Sequence, residues 1–210
     1  MLVLASASPR RRDLLTQAGF AFEVLTASVN EDVRQGERPI GYVLRLAREK
    51  AERVAESPAF QTLAQRSPDP PLLLGADTTV VAPNGEILGK PQSDADAARM
   101  LRLLAGATHQ VVTGVALLVP HAGIAEVAAE VTHVTMLTPS DEDIARYIAT
   151  GEPHGKAGAY AIQGRAARWI PRVHGCYFNV VGLPLALVTT MIEAVEVRLR
   201  SGVTSQVVVP

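Results

Sequence analysis

Leu72-Leu-Leu-Gly-Ala-Asp-Thr-Thr-Val-Val-Ala82 is a continuous apolar run interrupted by one acidic residue, Asp77. Its length and β-branched content read as a buried strand of the kind found in parallel or mixed sheets covered by helices. Asn84-Gly85 follows at once and is the strongest short hairpin signal in the chain. Working back toward the amino terminus, residues 2–5 form a second short apolar run, Ser6-Ala-Ser-Pro9 turns, and residues 10–18 read as a helix stopped by Gly19. Ser8 is a good N-cap, with Pro9 at the first helical position.

The same reading extends over the remainder. Residues 20–25 alternate as a strand, and residues 40–55 carry Val43, Leu44, Leu46, Ala47 and Ala51 at helical spacing. Asn30-Glu31-Asp32 lies in the polar loop between them. Residues 57–71 hold Pro58, Pro68, Pro70 and Pro71 with little periodicity and read as a surface insertion or hinge. Ser93 starts a helix with an apolar body over 97–104, residues 110–119 and 124–137 form a long antiparallel pair, and Ser140 with Asp143 starts another helix ending near Gly151. The glycine-spaced run from Lys156 to Gly164 is neither clean strand nor clean helix. Residues 169–173 and 177–181 read as a strand pair about Gly175, and residues 183–199 as a closing amphipathic helix. The pattern describes an α/β or α+β domain with a mixed sheet, read here as a single α/β domain over residues 1–210, and a loosely held tail at 201–210.

Composition narrows the function. The chain has 210 residues, Lys+Arg 20 against Asp+Glu 21, a formal net charge of −1 and 4% aromatic residues. That balance excludes the broad basic field and the stacking platforms on which nucleic-acid binding rests, leaving only local clusters to hold a phosphate. The uncharged stretch 103–125 is long enough for a membrane span, but Gly106, His109, Gln110, Gly114 and Pro120 interrupt it, so it reads as buried strand. The amino terminus lacks the basic-then-apolar order of a signal peptide. Cys176 is the one cysteine and reads as a small buried residue; with no disulfide available, the cytoplasm is the expected compartment.

Several constellations can carry chemistry. Ser6, Ser8, Arg10, Arg11 and Arg12 sit at a strand-to-helix turn, where free backbone N–H groups, hydroxyls and guanidinium groups make a phosphate cradle; the plainer reading is a capped helix with solvated arginines. Neighbours on a helix diverge by about 100°, so at most two of the three arginines serve one ligand. Asp77, buried in its apolar run, needs a cation or hydrogen bonds, and reads as a metal ligand or general base; the alternative is a turn cap where the strand breaks at Gly75. Lys50 beside Arg45 and Arg48 reads by default as part of a solvated face, Lys90 before Pro91 is better placed, and Glu31 can complete a carboxylate pair for a divalent cation. The five histidines have no zinc-ligand spacing. Gln163 can read a base edge or hold a loop. These residues alone describe a phosphate-handling, cation-assisted α/β enzyme.

The chain also resembles a known family along most of its length, the Maf nucleoside triphosphate pyrophosphatases, or septum formation proteins. The resemblance is carried by Leu4-Ala-Ser-Ala-Ser-Pro-Arg-Arg-Arg-Asp-Leu-Leu15, Leu46-Ala-Arg-Glu-Lys-Ala51, Gly75-Ala-Asp-Thr78, Gly89-Lys-Pro91, His109-Gln-Val-Val-Thr-Gly114, Lys156-Ala-Gly-Ala-Tyr-Ala-Ile-Gln-Gly164 and Asn179-Val-Val-Gly-Leu-Pro184, in the family's order, with 57–71 outside them. It implies a two-lobed fold akin to the inosine triphosphate pyrophosphatases, an elongated mixed sheet and a cleft between lobes. It implies cleavage between the α and β phosphates with Mg or Mn, Asp77 as proton acceptor, Glu31 and Asp77 as metal ligands, and Ser8, Arg11, Lys50 and Lys90 facing the phosphates. Arg10, Thr78 and Gln163 look like the dTTP/UTP-hydrolysing subgroup rather than the one that hydrolyses 7-methyl-GTP, and a Gln amide suits the O4 and N3–H of a pyrimidine. Asn30 departs from the acidic residue common before Glu31. A homodimer and a part in cell-division arrest are further implications, and a purely nucleotide-binding septation regulator is the non-enzymatic alternative.

Overall fold

The computed structural model describes residues 1–201; of the tail expected to be loosely held, all but Ser201 lies outside the described residues. The elements follow the order β1 (Leu2–Leu4), α1 (Pro9–Gln17), β2 (Phe22–Val24), α2 (Pro39–Ala55), α3 (Pro58–Arg66), β3 (Leu72–Val81), β4 (Ile87–Leu88), α4 (Asp94–Leu104), β5 (Thr108–Val119), β6 (Ile124–Thr135), α5 (Asp141–Ile148), β7 (Arg172–His174), α6 (Tyr177–Val181) and α7 (Leu185–Ser201). The sheet is mixed and runs β2-β1-β3-β5-β6-β7, with β4 paired to β3. β1 lies parallel to both β2 and β3, whereas β3–β4 and β6–β7 are antiparallel. Along β5 and β6, Thr108 bonds Thr135 and Gln110 bonds His133, so a step forward on one strand is a step back on the other, the antiparallel relation expected from sequence.

The chain divides into two compact units, and β3, β5 and β6 each contribute to both. The first comprises Met1–Asp77, Gly114–Ala129 and the described chain from Leu183 on; the second comprises Thr78–Thr113 and Glu130–Gly182. In the first, Val3, Leu73, Ala51, Val54, Phe60 and Leu118 form a buried apolar cluster. In the second, Leu88, Leu101, Leu104, Met136, Tyr147 and Trp169 do so. Among the described residues no helix is long and apolar enough to cross a membrane.

Three sequence expectations are corrected. Residues 57–71 are not a structureless excursion: Ser57 Oγ accepts the Phe60 N–H at 3.2 Å, Pro58 occupies the first turn, and Phe60 is fully buried in α3. Residues 177–181 form a helical turn rather than a strand. The buried Asn179 amide donates to the Val111 carbonyl at 3.0 Å and to Thr132 Oγ1 at 2.9 Å, and these tertiary bonds override the β propensity of the surrounding Tyr, Phe and Val. Cys176, just before it, is half-buried rather than buried.

Helix α2 lies unusually close to the sheet of its unit. A Cβ at Gly75 of β3 would collide with the Ala47 carbonyl oxygen, and one at Gly114 of β5 with the Val43 carbonyl. Glycine is therefore required at both positions for close backbone approach, and the strand runs straight through Gly75 instead of breaking there. Gly75→Ala has to push α2 off the sheet; we expect a loss on the order of 1–3 kcal/mol of stability by denaturant titration, typical of overpacking, together with loss of the Lys50–Asp77 contact described next.

Candidate functional site

Side chains on a strand alternate faces, so Leu73, Gly75 and Asp77 share one face of β3, the face on which α2 is packed. Asp77 is thereby buried, and the close approach at Gly75 brings Lys50 of α2 to it. Lys50 Nζ lies 2.6 Å from Asp77 Oδ1 and 2.7 Å from Glu31 Oε1, with its side chain only 13% exposed. The solvated reading of Lys50 fails for this reason: one ammonium group bridges a buried carboxylate and a loop carboxylate. Buried charge survives when paired and hydrogen-bonded, and this ammonium satisfies two carboxylates at once.

The amino-terminal turn supplies the second half of this cluster. Ser6 is buried, and its Oγ accepts the Ser8 N–H at 3.2 Å and Arg11 Nη1 at 3.1 Å; Arg11 Nη1 also donates to the Ala76 carbonyl at 2.8 Å. Arg11 thus ties α1 to the residue preceding Asp77. Burial weakens its hold on its proton, and the Asp77 and Glu31 carboxylates act in the opposite direction. Arg10 is half-buried and Arg12 exposed, so the three arginines diverge as helical geometry dictates. Ser8 takes the N-cap position in extended conformation without a side-chain capping bond, which leaves its hydroxyl uncommitted to the helix. Arg11 and Lys50 stand against Glu31 and Asp77 within this unit.

Tyr42 and Arg45 of α2 are residues that sequence reasoning missed. Tyr42 Oη donates to the Glu31 carbonyl at 2.8 Å, and Arg45 grips Glu37 through Nε and Nη2 at 2.6 and 2.7 Å. Desolvation raises the Tyr42 phenol to about 12, with the Asp77 and Glu31 carboxylates adding to it. Their i,i+3 spacing with a carboxylate upstream was the available signal, but it resembles any solvated helix face.

The other expected site residues belong to the second unit. Thr78 directly follows Asp77, and its hydroxyl pairs with Thr113 Oγ1 at 2.9 Å. Lys90 is exposed in the turn after β4, and its neighbour Gly89 accepts the Gly158 N–H at 3.1 Å, which joins this turn to the segment carrying Gln163. Gln163 itself is exposed. Behind it, Tyr160 Oη meets the buried His109 Nε2 at 2.8 Å, the Tyr147 hydroxyl accepts the Ala161 N–H at 3.1 Å, and Ala159 is the one described non-glycine residue with positive φ, at 59°.

Glu31 and Asp77 are hard oxygen donors that already reach one cationic group, so the pair fits a hard divalent ion that completes its shell with water and phosphate oxygens. Among the described residues no group of three or more His, Cys, Asp or Glu side chains is arranged to hold a metal ion, so the protein's own contribution would be these two carboxylates.

Comparison with known proteins adds an independent line. The family model described as Maf-like protein matches residues 1–195. A dTTP/UTP pyrophosphatase of Koribacter versatilis is 50% identical over 192 residues, covering 91% of this chain and 93% of that protein. The dTTP/UTP pyrophosphatase of Pelotomaculum thermopropionicum is 48% identical over 192 residues, covering 91% and 95%, and that of Salmonella typhimurium 50% identical over 184 residues, covering 88% and 87%.

His109 generates a pH prediction. Burial pulls its pKa down to about 4 from an ordinary 6.5, so the folded state keeps the ring neutral while the unfolded chain takes up a proton below 6.5. Its contribution is intact above pH 6.5 and is lost progressively as pH falls toward 4, on the order of 3 kcal/mol in all. Thermal melts between pH 7 and 5, above most carboxylate titration, will show a falling midpoint, and the fall will flatten in His109→Gln.

Proposed function

The chain belongs to the Maf family, and on that premise we propose that it hydrolyses dTTP and UTP to the nucleoside monophosphate and pyrophosphate with the help of Mg or Mn in the cytoplasm. The observation that carries this reading is the Glu31–Lys50–Asp77 bridge, at 2.7 and 2.6 Å, beside the buried Arg11. Two carboxylates and two fixed cations gathered at a helix N-terminus form a site for a polyphosphate rather than for a neutral ligand. The names of the relatives support the pyrimidine specificity.

In this reading water oxygen attacks the α-phosphorus, its proton passes to Asp77, and the bond to the bridging oxygen breaks with pyrophosphate departing. In the resting protein Lys50 Nζ holds Asp77 Oδ1 at 2.6 Å. When a triphosphate draws the ammonium to its own oxygens, the carboxylate is released to act on water. Arg11 and Ser8 neutralise the charge that develops on the leaving group, and the family resemblance assigns Lys90 to phosphate contact as well. A divalent ion held by Glu31 and Asp77 would supply Lewis acidity toward phosphoryl oxygen. Arg10, Thr78 and Gln163 are assigned to substrate choice, Gln163 offering a paired donor and acceptor to the pyrimidine edge.

Turnover of dTTP, UTP, CTP and 7-methyl-GTP, with release of pyrophosphate as the readout, tests the assignment. We expect dTTP and UTP to be preferred and Asp77→Asn to lower kcat about 10²–10⁴-fold, the range for loss of a general base. Undiminished turnover in Asp77→Asn would remove Asp77 from the chemistry, preference for 7-methyl-GTP would reassign the specificity, and tight dTTP binding without turnover would point to a regulator.

A further inference from the structure

Glu31 lies in a stretch between β2 and α2, residues 25–38, that has no helix or strand and is exposed along most of its length. An irregular segment of this kind does not by itself hold a carboxylate within hydrogen-bonding distance of a buried ammonium group. The contacts that restrain it come from one face of α2. Tyr42 Oη donates to the main-chain carbonyl of Glu31 itself, at 2.8 Å. One turn later Arg45 Nη2 donates to the carbonyl of Asp32 at 3.0 Å, and the same guanidinium takes both oxygens of Glu37 at 2.6 and 2.7 Å. Arg45 and Glu37 are each only 12% exposed at the side chain, unlike the solvated pairs elsewhere on the helix such as Arg48–Glu52.

Further bonds close the strap from the loop side. Arg34 donates its N–H to Glu37 at 3.0 Å and its Nη2 to Glu49 at 2.8 Å, Arg45 Nη1 reaches Glu49 at 3.2 Å, and Asn30 Oδ1 accepts the Asp32 N–H at 2.8 Å. The Arg45 guanidinium also lies over the Tyr42 ring, 5.5 Å from its centroid, so the two anchors brace each other. Guanidinium geometry matters here: one planar fork satisfies a bidentate carboxylate and a main-chain carbonyl at once, which an ammonium cannot do.

We propose that Tyr42 and Arg45 are positioning residues for Glu31, strapping its loop onto the same helix that carries Lys50 so that both partners of the bridge are held by α2. The inference rests on the reading of Glu31 as a site carboxylate. It adds two residues that touch neither the phosphates nor the reacting atoms and act only by placing Glu31.

The test combines kinetics with hydrogen exchange on the intact protein. Arg45→Lys keeps the charge and loses the fork, and Tyr42→Phe loses only the hydroxyl. Each should accelerate amide exchange within residues 25–38 in the absence of nucleotide or metal, leave exchange in β3 and α4 unchanged, and lower kcat for dTTP about tenfold, the coupling of groups in one hydrogen-bonded network. In a Glu31→Gln background the same substitutions should lower the residual turnover no further. Unchanged exchange in the loop would overturn the strap, as would an Arg45→Lys loss equally large with and without Glu31, since that is the additive behaviour of general destabilisation. Full turnover by Glu31→Gln alone would instead remove the role of Glu31 and the proposal with it. That outcome is read before the double variants are made.

Discussion

The close approach of α2 to the sheet is the constraint on which the site depends. Main-chain atoms of Val43 and Ala47 occupy the space that side chains at Gly114 and Gly75 would need. A helix held further out would keep its apolar contacts by using larger residues, but Ala47 and Ala51 are small, and Ala51 too packs against Gly75. Lys50 lies between these two alanines in sequence and Asp77 lies two residues after Gly75 on the same strand face. The separation of the Lys50 ammonium and the Asp77 carboxylate is therefore set by backbone packing, not by side-chain flexibility.

That packing also explains how the charges are tolerated. Removing Lys50 or Asp77 from water costs several kcal/mol each in a real protein interior, and a single contact between them does not guarantee recovery of the cost. Here the ammonium is shared by two carboxylates and Arg11 is anchored by a hydroxyl and a carbonyl oxygen, so the groups are satisfied before any ligand arrives. A site organised in advance avoids reorganising its dipoles during the reaction, which is where electrostatic catalysis gains most. The near-neutral chain charge conceals this concentration: Arg11 and Lys50 face Glu31 and Asp77 within one unit, while many of the remaining ion pairs are exposed ones such as Arg53–Glu56 and Arg146–Glu142 that contribute little.

Much of this was legible in the sequence, for reasons that differ by element. The β3 strand, the Asn84-Gly85 hairpin and the helices capped by Ser93 and Ser140 declare themselves locally, through period, turn chemistry and capping, and both serines do accept the expected N–H, from Asp96 and Asp143. Asp77 declared itself by being a charge in an apolar run. What failed was local appearance contradicted by distant partners. Residues 177–181 look like a strand until Asn179 is seen to bond β5 and β6. Residues 58–66 look irregular because prolines cluster around them, although Ser57-Pro58 is a sound helix start and Phe60 an anchor. Lys50, Arg45 and Arg48 have equivalent local surroundings, and only the loop and strand that approach α2 separate the bridging lysine and the strapping arginine from the solvated one.

The second unit applies the same logic to the segment that carries Gln163. An exposed Gln side chain on a mobile loop would forfeit much of its hydrogen-bond energy in ordering the loop around a base. The segment bearing Gln163 is instead restrained from several directions: Gly158 packs on Val80 and bonds Gly89, Tyr160 reaches the buried His109, the Tyr147 hydroxyl takes the Ala161 N–H, and the Glu152 carboxylate receives the Arg165 N–H. Ala159, fully buried at positive φ, carries a backbone cost of about 1–3 kcal/mol that persists only where surrounding contacts over-determine the conformation. Such strain beside Gln163 marks a segment whose conformation is fixed at folding, so under the proposed reading the exposed amide is offered to a base by a rigid support.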